Sequence, residues 1–285
     1  MKCRLCFTPL KKIQAEKEEL SVEDFYITKK SSKRVSLIIC RNCGLVQANG
    51  LIPPEKLLEC YQRVEDLEVE KEFLGRKLAF RRDILKCLAI INKRINSILE
   101  VGAFTGIAAE AIGEVLPKAD YLGIEPSSWA CGVAQKRGKN VIQGKIGDPI
   151  DRIFDLIFAW DVIEHLEYPH DFFKWCNDLT TQGSYLFINT PNWESGLHRV
   201  FGKKWWFIEP MHRTYFTPKT LTLIAEQHQW KMIKIWRHMK IVSMPYLIHR
   251  AVKEYLNLDI NILRRLPHVK VSLYIGQMSV LLKRA

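Results

Sequence analysis

From residue 96 onward the chain alternates short apolar runs with amphipathic stretches of helical period. Ile98-Leu99-Glu100-Val101 is a buried-strand pattern, and Gly102-Ala103-Phe104-Thr105-Gly106 then bends the chain into the small-residue helix Ile107-Ala108-Ala109-Glu110-Ala111-Ile112. The same reading predicts strands over 97–102, 121–125, 141–143, 154–160 and 185–189, with helices over 105–116, 128–137 and 172–179. Short connections between alternating strands and helices favour an α/β, doubly wound sheet whose ligands sit at the strands' carboxyl ends.

The segments flanking this alternation are less regular. Residues 55–95 read as a helical connector, with Phe73, Leu74, Leu78, Phe80, Ile84, Leu85, Leu88 and Ile91 near helical spacing; it joins the first 54 residues to the core and covers the ligand cleft or helps recognise substrate. Residues 191–217 form an aromatic-rich insertion containing WWFIEPMHRTYFTP, and Thr217 with Pro218 is suited to start a helix. A strand is expected over 231–237, a helical insertion over 238–268 and a last strand over 271–283.

Residues 1–54 carry Cys3-x-x-Cys6 and Cys40-x-x-Cys43, two knuckles able to complete a tetrahedral zinc site. Four thiolates leave no open position, so this metal would be structural and would tie together a region too small for much apolar burial. The segments FYITKK and RVSLIIC are expected to form a hairpin between the knuckles. Cys60, Cys87, Cys131 and Cys176 lack paired spacing and read as isolated thiols.

Glu125 closes the second strand roughly 20 residues after the glycine bend, where a carboxylate can accept ribose hydroxyls. With FDLIFAWDVIEHL and GSYLFINTPN as later strands, residues 96–237 resemble the class I S-adenosylmethionine-dependent methyltransferases. The resemblance implies a Rossmann-like, mostly parallel seven-stranded sheet with a small N-terminal zinc ribbon, similar to sugar and natural-product methyltransferases. It also implies S-adenosyl-L-methionine at Glu100, Gly102, Ala103, Phe104, Gly106, Glu125, Pro126 and Asp161, with an adenine contact near Lys145, Ile146 or Asp148. Phe104 stands where the family's motif has its middle glycine.

Asp161-x-x-Glu164-His165 is the most compact candidate for chemistry, and His165 is the best single general base because imidazole titrates near neutrality. The spacing is similar to the E-x-x-E-H arrangement of quinone-pathway O-methyltransferases, which implies a divalent metal as one option beside metal-free and structural roles. His212 joins the catalytic candidates, and Trp193, His198, Trp206, His212 and Tyr215 are candidate acceptor contacts or the core of a lid. The expected acceptor is a small molecule, a saccharide or natural product, with O-methylation favoured.

Charge leaves two further readings. The net charge of +12 divides into +7 over residues 1–95, −4 over 96–230 and +9 over 231–285, so the methyl-transfer core is not itself basic. RNA methylation is the first alternative, since the ribbon and basic ends offer phosphate contacts; a nonenzymatic ligand-binding module is the second. Residues 241–266 mix apolar and basic positions that would suit core packing or peripheral contact with a membrane bearing a lipid-linked acceptor. No apolar run reaches the roughly 18 residues that span a bilayer, and a cytoplasmic protein is expected.

Overall fold

In the computed structural model, residues 1–10, 35–49, 53–66, 70, 72–244 and 269–285 are described. Two short strands, β1 (Ser36–Ile39) and β2 (Val46–Asn49), pair antiparallel across the Cys40–Cys43 knuckle. The helices α1 (Pro54–Gln62) and α2 (Phe73–Leu88) follow. Then come β3 (Ser97–Val101), α3 (Ile107–Val115), β4 (Asp120–Glu125), α4 (Ser128–Lys136), β5 (Val141–Gln143), β6 (Leu156–Trp160), α5 (Pro169–Asp178) and β7 (Tyr185–Pro191). The chain closes with α6 (Gly196–Phe201), β8 (Thr214–Tyr215), α7 (Pro218–Gln227), β9 (Trp230–Ser243) and β10 (Lys270–Arg284).

Seven strands form the central sheet in the order β5-β4-β3-β6-β7-β10-β9. The first five are parallel, while β10 runs antiparallel to both neighbours. Both faces are covered, which is why the central strands read as unbroken apolar runs. On β6, Leu156, Phe158 and Trp160 pack with Ile84 and Cys87 of α2, whereas Ile157 and Ala159 pack with Phe172 and Phe173 of α5.

Three elements differ from the sequence expectation. The connector is two helices instead of one: α1 ends at Arg63, whose N–H bonds Glu59 and Cys60 carbonyls, and the chain then crosses to Ser127, which donates its hydroxyl to the Val64 carbonyl at 3.0 Å. Residues 238–243, expected to begin a helical insertion, extend β9 because they pair with β10 from Lys270↔Ser243 onward. Residues 245–268 lie outside the described residues, as does the FYITKK segment, so most of the expected helical insertion and of the suggested membrane-facing tail falls there.

The third difference concerns the insertion. Its strand β8 adds to the free edge of β2 through Val46↔Tyr215 and Gln47↔Thr214, giving the ribbon a third strand from far along the chain. The ribbon is also docked on the central domain. Arg4 pairs with Glu167 at 2.6 Å, Glu167 reaches the buried Arg213 at 2.7 Å, and the His170 ring bonds the Leu5 carbonyl at 2.9 Å. Cys3, Leu5, Cys40 and Leu45 belong to the same apolar cluster as Leu99 and Phe172.

The α2–β9 seam is equally close. A Cβ placed on Gly75 would lie 2.3 Å from the Ile241 carbonyl oxygen, and Glu72 accepts bonds from the Ser243 N–H and hydroxyl at 3.1 and 2.7 Å. Backbone cannot yield as a flexible side chain does, so Gly75→Ala should force the seam apart and lower stability by about 1–3 kcal/mol in denaturant titration. An unchanged midpoint would mean that α2 does not approach β9 so closely.

Candidate active site

The bend after β3 is built from left-handed backbone: Gly102, Phe104 and Gly106 have φ of 72°, 45° and 77°. At Gly102 a Cβ would also meet Val162 Cγ2 at 3.0 Å, so the loops after β3 and β6 approach too closely for a side chain. Phe104 holds the same left-handed conformation despite its Cβ, a strained geometry at a position where the family motif has glycine. Its ring meets the edge of Trp129.

The bend and the end of β4 are joined through one carboxylate. Glu125 accepts the Phe104 N–H on Oε2 and the Ser127 N–H on Oε1, each at 2.9 Å. Burial pushes its acid up to about 7, although these two N–H groups oppose the shift. Each oxygen retains a lone pair for a further donor, so the carboxylate can take two ribose hydroxyls as well. Together with the close approach allowed at Gly102, this arrangement fits S-adenosylmethionine. Pro126 adjoins this acid, while Glu100 lies on β3 with its carboxylate accepting the Tyr121 hydroxyl at 2.5 Å; burial raises it to about 8. Asp148 closes its own turn by accepting the Lys145 N–H at 2.8 Å.

Asp161 follows β6 with φ 53°, again left-handed for a side-chain-bearing residue. Gln277 of β10 donates to Asp161 Oδ1 and also to Asn189 Oδ1, the latter at 3.2 Å. Asp161 lines a cleft with Trp160 and Asn189 from the strand ends, Glu72 from the residue before α2, Arg76 and Phe80 from α2, and His238 and Lys240 from β9.

Glu164, His165 and His212 converge beside it: their ligand atoms all lie within 4.8 Å of one another. Asp161 does not belong to that convergent set, so the trio suggested by the D-x-x-E-H spacing is replaced by one that includes the insertion. The physical reason is that Asp161 is turned toward Gln277 by its left-handed backbone, while the Arg213 N–H bonds the Glu164 carbonyl at 2.7 Å and draws His212 in. Glu164 accepts the Thr190 hydroxyl at 2.9 Å on one oxygen; its other oxygen, Oε1, is buried without a hydrogen bond. Burial, then the charge of Asp161, pushes this acid well up.

His165 Nδ1 meets the Tyr61 hydroxyl at 2.7 Å, and His212 Nδ1 meets the Phe207 carbonyl at 2.6 Å. Burial holds both imidazoles in the neutral form, His165 well below its ordinary value and His212 at about 4. Both are thereby suited to ligation or hydrogen bonding more than to carrying a proton.

The aromatic candidates pack mainly with one another. Trp193 meets His198 at 3.8 Å and Tyr215 at 5.3 Å, Tyr215 is buried in β8, and Trp193 and Trp206 pack against the cluster of Val46, Trp205 and Tyr215. They join the insertion to the ribbon, and none of Trp193, His198, Trp206, His212 or Tyr215 lines the Asp161 cleft. Sequence reasoning missed Tyr61, Asp83, Asn189, His238 and Gln277. Asp83 carried a signal, since a lone acid sits on the helix face shared by Phe80, Ile84 and Cys87; His238 carried a weaker one within a strand-like alternation.

In the ribbon the Sγ atoms of Cys3 and Cys43, and of Cys6 and Cys40, are 3.5 Å apart, and all four lie within 4.8 Å of one another. Cys60, Cys87, Cys131 and Cys176 are buried free thiols, as their spacing implies.

Residues 71–235, more than half of the chain, match the family model for a methyltransferase domain. The chain belongs to that family. With this sheet order it is a class I S-adenosylmethionine-dependent methyltransferase. Among solved structures, the methyltransferase is similar to an S-adenosylmethionine-dependent methyltransferase from Archaeoglobus fulgidus, at 17% identity and TM-score 0.53 over 77% of this chain and 100% of that one. It is also similar to magnesium protoporphyrin IX methyltransferase from Synechocystis with bound S-adenosylhomocysteine (13% identity, TM-score 0.52, 81% and 92% of the two chains). A third is an S-adenosylmethionine-dependent methyltransferase from Thermotoga maritima (18% identity, TM-score 0.50, 76% and 95%). At these identities the likeness is one of fold. No curated protein matches the chain. Among the described residues no helix is long and apolar enough to cross a membrane.

Proposed function

We propose that this methyltransferase methylates a hydroxyl oxygen of a small-molecule acceptor, of the saccharide or natural-product kind, seated between α2 and β9. The observation that carries this reading is the cleft itself. Phe80 and Trp160 offer apolar walls, and Asp161, Asn189, His238, Arg76 and Lys240 bring polar groups to one concave site at the strand ends. When bound, S-adenosylmethionine supplies an electrophilic methyl on a sulfonium centre, and the acceptor's attacking atom must be aligned with it. Glu125 and the Gly102–Gly106 bend hold the nucleoside end; Gln277 fixes Asp161 at the boundary between donor and acceptor. The segment after α1 closes over the donor side through Val64 and Ser127.

Two metals belong to the proposal. Zinc at Cys3, Cys6, Cys40 and Cys43 would be structural. A divalent ion would be held by Glu164, His165 and His212, where the unpartnered Glu164 Oε1 and two neutral imidazoles form a fitting donor set and would supply Lewis-acid chemistry. The test is an acceptor screen at one donor concentration, comparing phenols, glycans and RNA by transfer of labelled methyl. Methylated phenols or glycans with little dependence on salt support the reading. Methylation of RNA alone, weakening steeply with salt, would overturn it.

A further inference from the structure

His238 and Asp83 form a couple that none of the motif residues includes. Asp83, buried on α2, accepts from His238 Nδ1 at 2.8 Å and from the indole N–H groups of Trp160 and Trp236 at 3.2 and 3.3 Å. An anionic acceptor at that distance fixes the proton of neutral His238 on Nδ1, because a lone pair there would face the carboxylate. The other ring nitrogen, Nε2, makes no hydrogen bond among the described residues and is not among their buried, unpartnered atoms. It is therefore not sealed in the core, and His238 is one of the residues that line the cleft with Asp161.

The couple is tied to the methyl-transfer end by a continuous polar chain. Ser279 lies 3.4 Å from His238 Nδ1, the Asn189 amide donates to Ser279 Oγ at 3.4 Å, and Gln277 bridges Asn189 to Asp161. Besides Asp83, the charged groups around the cleft are Glu72 just before α2, Arg76 on α2, Asp161 after β6 and Lys240 on β9.

We propose that His238 is the general base for the acceptor hydroxyl and that Asp83 is its positioning residue, an inference that rests on the hydroxyl-methylation reading above. The acceptor O–H proton passes to Nε2 as the oxygen's electron pair forms the new O–CH3 bond and the old methyl–sulfur pair stays on sulfur. The imidazolium produced is stabilised by the Asp83 carboxylate and returns its proton to solvent. This assignment moves the proton-accepting role away from His165, whose ring is buried and engaged with Tyr61.

The test uses the full chain with two probe acceptors, phenol and 4-nitrophenol, at a pH where only the latter is ionised. His238→Asn keeps an N–H for Asp83 while deleting Nε2. It should lower kcat for phenol about 100-fold with little change in KM, and leave 4-nitrophenol within about twofold, since an ionised acceptor has no proton to give. Equal losses on both acceptors, or none on phenol, would overturn the base. If the wild type methylates neither phenol nor 4-nitrophenol, nor any glycan, the hydroxyl reading itself falls and the base falls with it.

Asp83→Asn should lower kcat for phenol about tenfold with KM little changed and leave 4-nitrophenol within about twofold, because the ring loses the carboxylate that orients it. Nitrogen NMR of labelled histidine supplies a readout free of turnover: His238 should be the Nδ1–H tautomer with a bare Nε2. An Nε2–H tautomer would overturn the couple.

Discussion

Replacing Cys40 with serine should release about one zinc per chain and disorder not only the ribbon but also the insertion that carries His212. Zinc–thiolate bonds of about 2.3 Å place tetrahedral sulfurs about 3.8 Å apart, and the Cys3–Cys43 and Cys6–Cys40 separations of 3.5 Å already approach that spacing. Structural zinc binding in small peptides is worth about 10–16 kcal/mol near neutrality, much of it expressed as folding, so even a fraction of that is large for one domain. Here the ribbon also supplies the strand on which β8 pairs, and the Arg213 N–H that precedes β8 bonds the Glu164 carbonyl.

The loss should therefore travel along β2 to β8 and loosen His212 and Tyr215, while the Glu125 side stays formed because it depends on β3 and β4. Metal analysis, hydrogen exchange over residues 209–217 and calorimetry with S-adenosylhomocysteine would separate these effects. The expected pattern is lost metal, faster exchange in that segment and retained donor binding. A Cys40→Ser protein with full metal content and unchanged exchange would refute the zinc site and its coupling to the insertion.

The glycine bend and the acid at the end of β4 were legible because their constraints are local. A glycine bend after a buried strand, and an acid at the end of the next, follow from steric and hydrogen-bonding demands of a few residues, and Glu125 with Gly102 stands where those demands put it. The helix start at Thr217 and Pro218 was legible for the same reason. The insertion and the far edge of the sheet were not, because they are assembled from pairings across long sequence separations. β8 is two residues long and gains its identity only from the edge of β2; residues 238–243 are strand only because β10 lies beside them. The aromatic insertion was visible by composition, yet composition could not tell a pocket lining from the seam between insertion and ribbon. Phe104 shows that a missing motif glycine can leave its backbone conformation intact, with the strain carried by the bend.

Glu125→Gln should weaken binding of S-adenosylhomocysteine about 100-fold, the loss expected when roughly 3 kcal/mol of charge-assisted hydrogen bonding is removed. The amide has one accepting oxygen, whereas the Phe104 and Ser127 N–H groups both require an acceptor, so the substitution also sets an NH2 against a backbone donor. The pH dependence follows from burial. With its acid near 7, wild-type Glu125 must ionise to receive the ribose strongly, so affinity should improve as pH rises through about 7 and the Glu125→Gln profile should be flat there.

Stability without donor should move the other way. Glu100 at about 8 and Glu125 at about 7 both lie above the ordinary carboxylate value of 4.5, so the folded chain binds protons more readily than the unfolded one. Their favourable contribution is complete below the unfolded value and is lost as pH climbs through 7 and 8. Glu100→Gln, which keeps an acceptor for the Tyr121 hydroxyl without a buried charge, should flatten that decline and raise stability at alkaline pH by about 1–3 kcal/mol. Denaturant midpoints across this range would test it. A wild-type stability that rises from mildly acidic to alkaline pH would show that these two acids are not held protonated by burial, and that the donor pocket is wetter than its geometry implies.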